Sequence, residues 1–304
     1  MNTVGATTAK IHRIVALTTV IVPTMMVPLG VWIIARFGVT ATEILILLAM
    51  HVLCIVGVEM GFHRYFSHHS FKAGKGIEVA LAICGSMAAQ GPLVQWVCDH
   101  RKHHRFTDRV GDPHSPHALP GTLVYKLWHA HIGWLFRREL HDPTMYAKDL
   151  LRNQRLMQVS QYYHLWVGIG ILVPGLVLYV VEGGQLIALL KGMLYGGGLR
   201  IFVGHHAVWS VNSFGHYFGS RPFDTREHSR NNLWLVLPTL GGGWHNNHHA
   251  YPASAVTNAK WWQIDPIGLF ILLLGKFNVI HDIRTIKGGQ RDEVAFAADD
   301  GWRL

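Results

Sequence analysis

The sequence predicts an all-α membrane protein: four transmembrane helices in two hairpins, closed on one side by a helical cap. Half of its 304 residues are hydrophobic, only 15% are charged, and the mean hydropathy is positive. Its 22 histidines fall largely in tight clusters rather than being scattered. Lys and Arg exceed Asp and Glu by 27 to 18. Beside such long apolar runs this excess points to anionic lipid headgroups or an anionic substrate, and not to nucleic acid.

Taken in order, the start from Met1 to Arg13 is short and polar, and no A-x-A-like cleavage site follows it. The first apolar stretch is therefore read as a retained span, not a removable signal. Stretches long enough to cross roughly 30 Å of hydrocarbon are 14–34, 44–62, 165–181 and 186–211. The links within the hairpins, 35–43 and 182–185, are short and nearly free of basic residues. By the positive-inside rule, the N-terminus and the segments 63–164 and 212–286 face the cytoplasm and form the cap. A bacterial inner membrane suits that arrangement. A fifth apolar run, Ile77 to Cys98, would put His63 and His100 on opposite sides if it crossed, so it is read as interfacial or re-entrant. Residues 1–286 form one domain and 287–304 read as a polar tail. Cys54, Cys84 and Cys98 contain no C-x-x-C pair, which argues against an iron–sulfur cluster or a disulfide framework.

The clusters carry the chemistry. His100, His103 and His104 have i, i+3, i+4 spacing, which recurs at His245, His248 and His249; on a helix each triplet shares one face. His63 and His68 are five apart, so on an ideal helix they diverge by well over a right angle and must straddle a metal or unwind the helix. Asn212 and His216 follow directly on the fourth span, so every cluster emerges at the same membrane face. Imidazole suits several metals, but about nine histidines exceed what one tetrahedral structural zinc needs. Two metals at a membrane surface suit dioxygen activation. The Glu and Glu-x-x-His pattern of four-helix di-iron carboxylate proteins is missing. His12, His51, His141 and His281 read as ordinary solvated or core histidines. His69, His114, His117, His129, His131, His205 and His206 are left unassigned.

The motifs G-F-H-R-Y-F-S-H, D-H-R-K-H-H, G-D-P-H, H-I-G-W-L, W-S-V-N-S-F-G-H, R-P-F-D and G-G-G-W-H-N-N-H-H, spread from Gly61 to Tyr251, resemble those of the membrane fatty acid desaturases. The closest likeness is to the acyl-CoA delta-9, stearoyl-CoA type. The resemblance implies two iron ions that, with dioxygen and two electrons, remove two hydrogens from a saturated acyl chain and leave a cis double bond. It implies one iron on His63, His68, His100, His104 and His248, and the other on His103, His216, His245 and His249. Asn212 would reach the second iron through a water. Gln90, Trp96 and Trp209 match positions near an acyl tunnel, whose floor falls to Leu47, Met50 and Cys54. Arg101, Lys102, Arg105, Arg109, Arg221 and Arg226 are candidate cations for a carrier headgroup such as coenzyme A. Arg200, inside the last span, matches an Arg of the family and needs a partner there.

Between G-D-P-H and H-I-G-W-L the chain carries a longer segment than the animal acyl-CoA enzymes, more like bacterial relatives. It has no His-Pro-Gly-Gly haem motif, so electrons come from a separate donor: ferredoxin, rubredoxin, or cytochrome b5 with its reductase. Two rival functions remain. An alkyl or lipid hydroxylase with the same boxes would leave an added oxygen, and a histidine-rich metal transporter or sensor would place its ligands along a path through the membrane.

Overall fold

The structure is a computed structural model and describes residues 6–137 and 141–286. The tail assigned to 287–304 lies outside the described residues. Four helices are long and apolar enough to cross a membrane: α1 (Ala6–Phe37), α2 (Ala41–Ser67), α7 (Tyr163–Val181) and α8 (Leu186–His216). Between them the chain forms α3 (Lys75–Met87), α4 (Leu93–Phe106), α5 (Leu123–His131) and α6 (Gln154–Gln161). After them come α9 (His245–Ala250) and α10 (Pro266–Lys276). Among the described residues the fold is helical apart from two isolated bridges, Ser220 with Asn231 and Asn231 with Trp244, and one two-stranded antiparallel pairing of Lys72–Ala73 with Ile280–His281, which clips the end of the cap to its beginning.

The apolar windows of α2 and α8 are each 50% buried, those of α1 and α7 only 11% and 22%. The inner pair is thus α2 and α8, and these two run beyond the stretches read from hydropathy, to Ser67 and His216. They deliver their histidines to the cap as continuations of membrane helices. Thr40 and Glu43 form a capping box at the far end of α2. Glu43 also accepts from Lys191 of α8 at 2.7 Å, a buried pair joining the hairpins.

The Ile77–Cys98 run does not cross. It breaks into α3 and α4 at Ala88–Pro92, where Ala89 and Gly91 take φ of +60° and +109°. A turn at membrane depth exposes carbonyls that lipid cannot satisfy. Two side chains of α8 meet them: Arg200 donates to Met87 O at 2.8 Å, and His205 Nε2 donates to Ala89 O at 2.9 Å. Arg200 further donates to Gly196 O and Gly170 O, so the suspected partner of this intramembrane charge is a set of three carbonyls, not a carboxylate. At Gly57 a Cβ would stand 2.1 Å from the backbone nitrogen of Gly85, so α3 packs on α2 backbone to backbone.

The cap core gathers Phe62, Phe66 and Phe71 from α2 and the turn after it, with Leu93 and Val97 of α4, Leu156 of α6, and Ile267 and Ile271 of α10. Two buried arginines brace it. Arg64 forms a fork on Asp265 at 2.8 and 2.9 Å. Arg101 forms another on Asp149 at 2.7 and 2.8 Å, and donates to the carbonyls of Phe66, Ser67 and Tyr146.

Breaking a buried ion pair by removing one partner costs about 3–5 kcal/mol, because a charge is stranded. Lys191→Met is therefore expected to lower the thermal midpoint of the detergent-solubilised protein. The double variant Glu43→Gln/Lys191→Met should recover most of the loss, and equal damage by both would contradict the pairing.

Candidate metal centre

The three histidine boxes are, in chain order, His63 with His68, His100 to His104, and His245 to His249; His63 of box one lies on a π-helical segment, Val56–Ser67, and His68 caps its end. The wider turn resolves the five-residue spacing, since π-helices pair residues five apart. His68 N–H donates to His63 O at 3.2 Å, and the two rings stand 5.1 Å apart on one side of the helix. His100, His103 and His104 project from one face of α4, and His245, His248 and His249 from the short α9. His216 ends α8.

The structure gathers these side chains into two groups, His63, His68, His100, His104 and His248, and His103, His216, His245 and His249, with ligand atoms in each group within 4.8 Å of one another. In the first, Nε2 atoms stand 3.0 Å apart for His63–His248, 2.8 Å for His68–His100 and 3.0 Å for His248–His104. In the second, they stand 2.8 Å apart for His216–His245, 3.1 Å for His245–His249 and 3.4 Å for His103–His249. The two groups adjoin, with the rings of His104 and His249 stacked at 4.5 Å.

The outer nitrogens say which way the lone pairs point. His63 Nδ1 lies 3.0 Å from Glu59, His103 Nδ1 2.9 Å from Asp112, and His216 Nδ1 3.0 Å from Asp108. A carboxylate accepts a hydrogen bond from Nδ1–H and so keeps the proton on that nitrogen, leaving Nε2 unprotonated and aimed inward. Such lone pairs repel unless a cation sits between them. At roughly 2.1 Å per metal–nitrogen bond, neighbouring ligands at right angles stand about 3.0 Å apart, so the observed spacings fit two coordinated metals.

The carboxylates are tuned to match. Burial alone would raise Asp112, yet His103 beside it holds it below the usual carboxylate range, and His216 does the same, more strongly, to Asp108. Asp108 also accepts from the backbone of His228 and from the Ser115 hydroxyl. Glu227 stands 3.9 Å from Nδ1 of both His216 and His249. None of these four acids was singled out from the sequence. The signals were there: Glu59 precedes His63 by one helical turn, Asp108 follows His104 by four residues, and Asp112 belongs to G-D-P-H.

A cleft opens on His100, walled by Gln90, Trp96, Val208, Trp209 and Asn212 and bordered by Thr19 of α1. Trp96 stacks on His100 at 5.1 Å and its Nε1 donates to Gln90 Oε1 at 3.4 Å. His114, unassigned from the sequence, also lines the cleft; it packs on His103 at 4.5 Å, and burial pushes it down to about 3. Met50 and Cys54 do not line the cleft. They lie in a buried cluster with Val58, Met87 and Ala88, against which Trp96 and Val208 pack. Leu47 belongs to neither.

The cationic residues separate. Arg101 is not available to a headgroup, because its guanidinium is buried and committed to Asp149 and three carbonyls, which brace both of the first two boxes. Arg105 and Arg109 are exposed, Arg105 over the ring of Phe106. Arg221 is exposed and turned onto the carbonyls of Thr225 and Glu227. Lys102 is half-buried and Arg226 exposed. Of the histidines read as ordinary, His51 meets Pro238 O at 2.9 Å and His141 meets Asp99 at 2.6 Å.

Loss of a carboxylate behind a metal-bound histidine typically costs 10–100-fold in metal affinity. Asp112→Asn is therefore expected to lower metal affinity by about that factor, read by metal content after dialysis against graded chelator. Burial pushes His68, His100, His104, His245, His248 and His249 well below the ordinary 6.5. The unfolded chain takes up protons below about pH 6.5 that the folded cage refuses, so stability is complete above that pH and declines beneath it. Chelator-stripped protein should show a falling thermal midpoint from pH 7.5 to 5.5; a flat profile would contradict the buried cage.

The fatty acid desaturase family model matches residues 39–268. A hex-5-enoyl-[acyl-carrier protein] acetylenase of Moorena producens (strain JHB) is 39% identical, over 87% of this chain and 84% of its own. The sn-1 stearoyl-lipid 9-desaturase of Synechocystis sp. is 34% identical, over 75% and 67%. An acyl-CoA C20 delta5-desaturase of Anemone leveillei is 35% identical, over 78% and 72%. With histidine groups of five and four gathered at one end of four membrane-length helices, the chain belongs to the fatty acid desaturase family, a family of membrane-bound oxidoreductases.

Proposed function

We propose that the protein is an oxygen-dependent acyl desaturase that introduces a cis double bond, at delta-9, into a saturated chain carried on coenzyme A. The observation that carries this reading is the pair of adjoining imidazole groups, the first of which opens through His100 on a cleft walled in part by Trp96, Val208 and Trp209. Iron held there supplies, with dioxygen and two electrons, the oxidising power to take two hydrogens from an unactivated carbon pair. The five- and four-histidine groups are the proposed ligands of the two irons, and Asn212, in the cleft wall, is proposed to reach the second through a water.

The chain's own residues orient and exclude. A saturated chain offers no polar handle, so selection of one carbon pair depends on a fixed distance between a gripped carrier and the metals. Trp96 and Trp209 present flat apolar faces to the chain, and the Gln90 hydrogen bond fixes the tilt of the Trp96 indole. Met50 and Cys54, beneath those walls, set how far the methyl end can reach. Lys102, Arg105, Arg109 and Arg226 are the cations proposed for the carrier's phosphates. Electrons come from a separate ferredoxin, rubredoxin or cytochrome b5. The cap faces the cytoplasm, in a bacterial inner membrane, as the distribution of Lys and Arg favours.

The relatives act on acyl-carrier protein, glycerolipid and coenzyme A, by their names, and one makes a triple bond. The test therefore reads product and carrier together. Expression in a host lacking its own desaturation, with double-bond localisation by mass spectrometry, should give delta-9 monounsaturated chains. Purified protein with a donor should convert stearoyl-CoA. Conversion only of a carrier-protein thioester or an intact lipid would reassign the carrier, a triple bond would align the chain with the acetylenase, and hydroxylated chains would make it a hydroxylase. His248→Ala should abolish product while the protein still accumulates in the membrane, and normal turnover by that variant would remove His248 from the ligands.

A further inference from the structure

We propose that the two segments flanking the third histidine box, 233–240 and 261–277, form a shelf inserted into the bilayer leaflet beside α2, so that the wall of the metal cage is itself membrane-embedded. The proposal rests on the four long helices being membrane spans and is independent of the reaction.

Depth is set by one hydrogen bond. His51 Nε2 donates to Pro238 O at 2.9 Å, and His51 lies on α2 twelve residues before His63. At about 1.5 Å per residue, His51 stands roughly 18 Å along α2 from His63, so Pro238 lies well below the cage toward the middle of the bilayer. The chain around it is apolar and uncovered: Trp234 is 89% exposed and Leu237 79%. On α2, Leu48 and Val52, which neighbour His51, are likewise exposed, so the apolar surface runs from the span onto the shelf without interruption.

The second segment is joined to the first. Ile267 N–H donates to Leu240 O at 3.2 Å, and Trp244 Nε1 donates to Ile264 O at 2.7 Å. Here α10 buries Ile267 and Ile271 in the cap core while Leu269, Phe270, Leu272 and Leu273 face outward. At 11 residues α10 is too short to span, but its length and outward face suit an interfacial helix. Its ends carry the residues that favour the headgroup boundary. Trp261 is 94% exposed, Lys260 lies 5.9 Å from the Trp262 ring, and Lys276 closes the helix. A lipid occupant follows from the continuity with α2 and from this aromatic and basic rim. A soluble partner would need the patch in water, where an apolar area of this kind is costly.

Depth can be read with nitroxide labels on the full chain in phosphatidylcholine–phosphatidylglycerol bilayers. Trp234→Cys, Leu237→Cys and Trp261→Cys would be compared with Leu48→Cys on α2 and Asp224→Cys on the exposed cap, with unsubstituted protein labelled in parallel. The shelf sites are expected to show an oxygen-to-nickel-chelate accessibility ratio several-fold above that at Asp224→Cys, with Trp234→Cys and Leu237→Cys near Leu48→Cys. Dominant nickel access would place the shelf in water, and low access to both reagents would mean protein covers it; either result overturns the proposal. Should a label disturb folding, brominated-lipid quenching of the tryptophan emission provides a second reading. Quenching should be weaker in Trp234→Phe than in unsubstituted protein, and no difference would also overturn it.

Discussion

Nine imidazole nitrogens aimed at two points are a source of strain before they are a site. Unprotonated lone pairs held near 3 Å repel one another, and for His68, His100, His104, His245, His248 and His249 burial opposes the escape of protonation. Such an arrangement persists only if each ring is held from behind and cations sit in front. Glu59, Asp112 and Asp108 provide the first condition by taking the outer N–H of His63, His103 and His216. Much of the cap then serves to keep backbones still. The Arg64–Asp265 fork ties box one to the segment after box three, and Arg101, steadied by its fork on Asp149, ties box two back to the end of box one through the carbonyls of Phe66 and Ser67.

The membrane half is built to the same requirement. Ligand-bearing α2 and α8 are the inner helices, and their relative height is fixed by polar contacts that lipid makes strong. At the far end the Lys191–Glu43 pair locks their register. Nearer the cap, Arg200 and His205 hold the re-entrant turn between α3 and α4 against α8. Since α4 carries His100, His103 and His104, the carbonyls of Met87 and Ala89 are distant anchors of the cage. An apolar residue at position 200 would strand the Met87 carbonyl and loosen the turn that leads into the helix carrying three of the clustered histidines.

Sequence made some of this legible and hid the rest for identifiable reasons. Helical triplets announce themselves, because residues three and four apart share a face, so the boxes on α4 and α9 could be read directly. His63 and His68 could be seen to need an unusual backbone, but that the solution is a π-helix depends on how α2 meets α3 at Gly57 and Gly85. Glu59 was legible one helical turn before His63, whereas Asp108 could not be paired with His216, 108 residues on, because proximity in three dimensions and not spacing joins them. Arg101 was misread because a charge between two histidines looks like a surface cation until Asp149, 48 residues away, is seen beside it. The run that becomes α10 is too short to stand out as a span, so its apolar outer face was visible only once its inner face was packed.

Cleft and cage meet at one ring. Trp96 stacks on His100 and also forms a wall of the cleft, so a chain lying against the indole presses on a metal-site histidine through a single aromatic contact. Met50 and Cys54 touch the cleft only from beneath, through Trp96 and Val208, and contribute no atom to the cage. Under the proposed function, chemistry and chain-length selection would therefore be separable at the floor and inseparable at the wall. A scaffold of this kind can change which chain it accepts by altering the buried cluster under Trp96 while the imidazole geometry above stays fixed. Relatives named for lipid, coenzyme A and carrier-protein substrates match most of this same chain, as such a division between a constant cage and a replaceable floor and mouth allows.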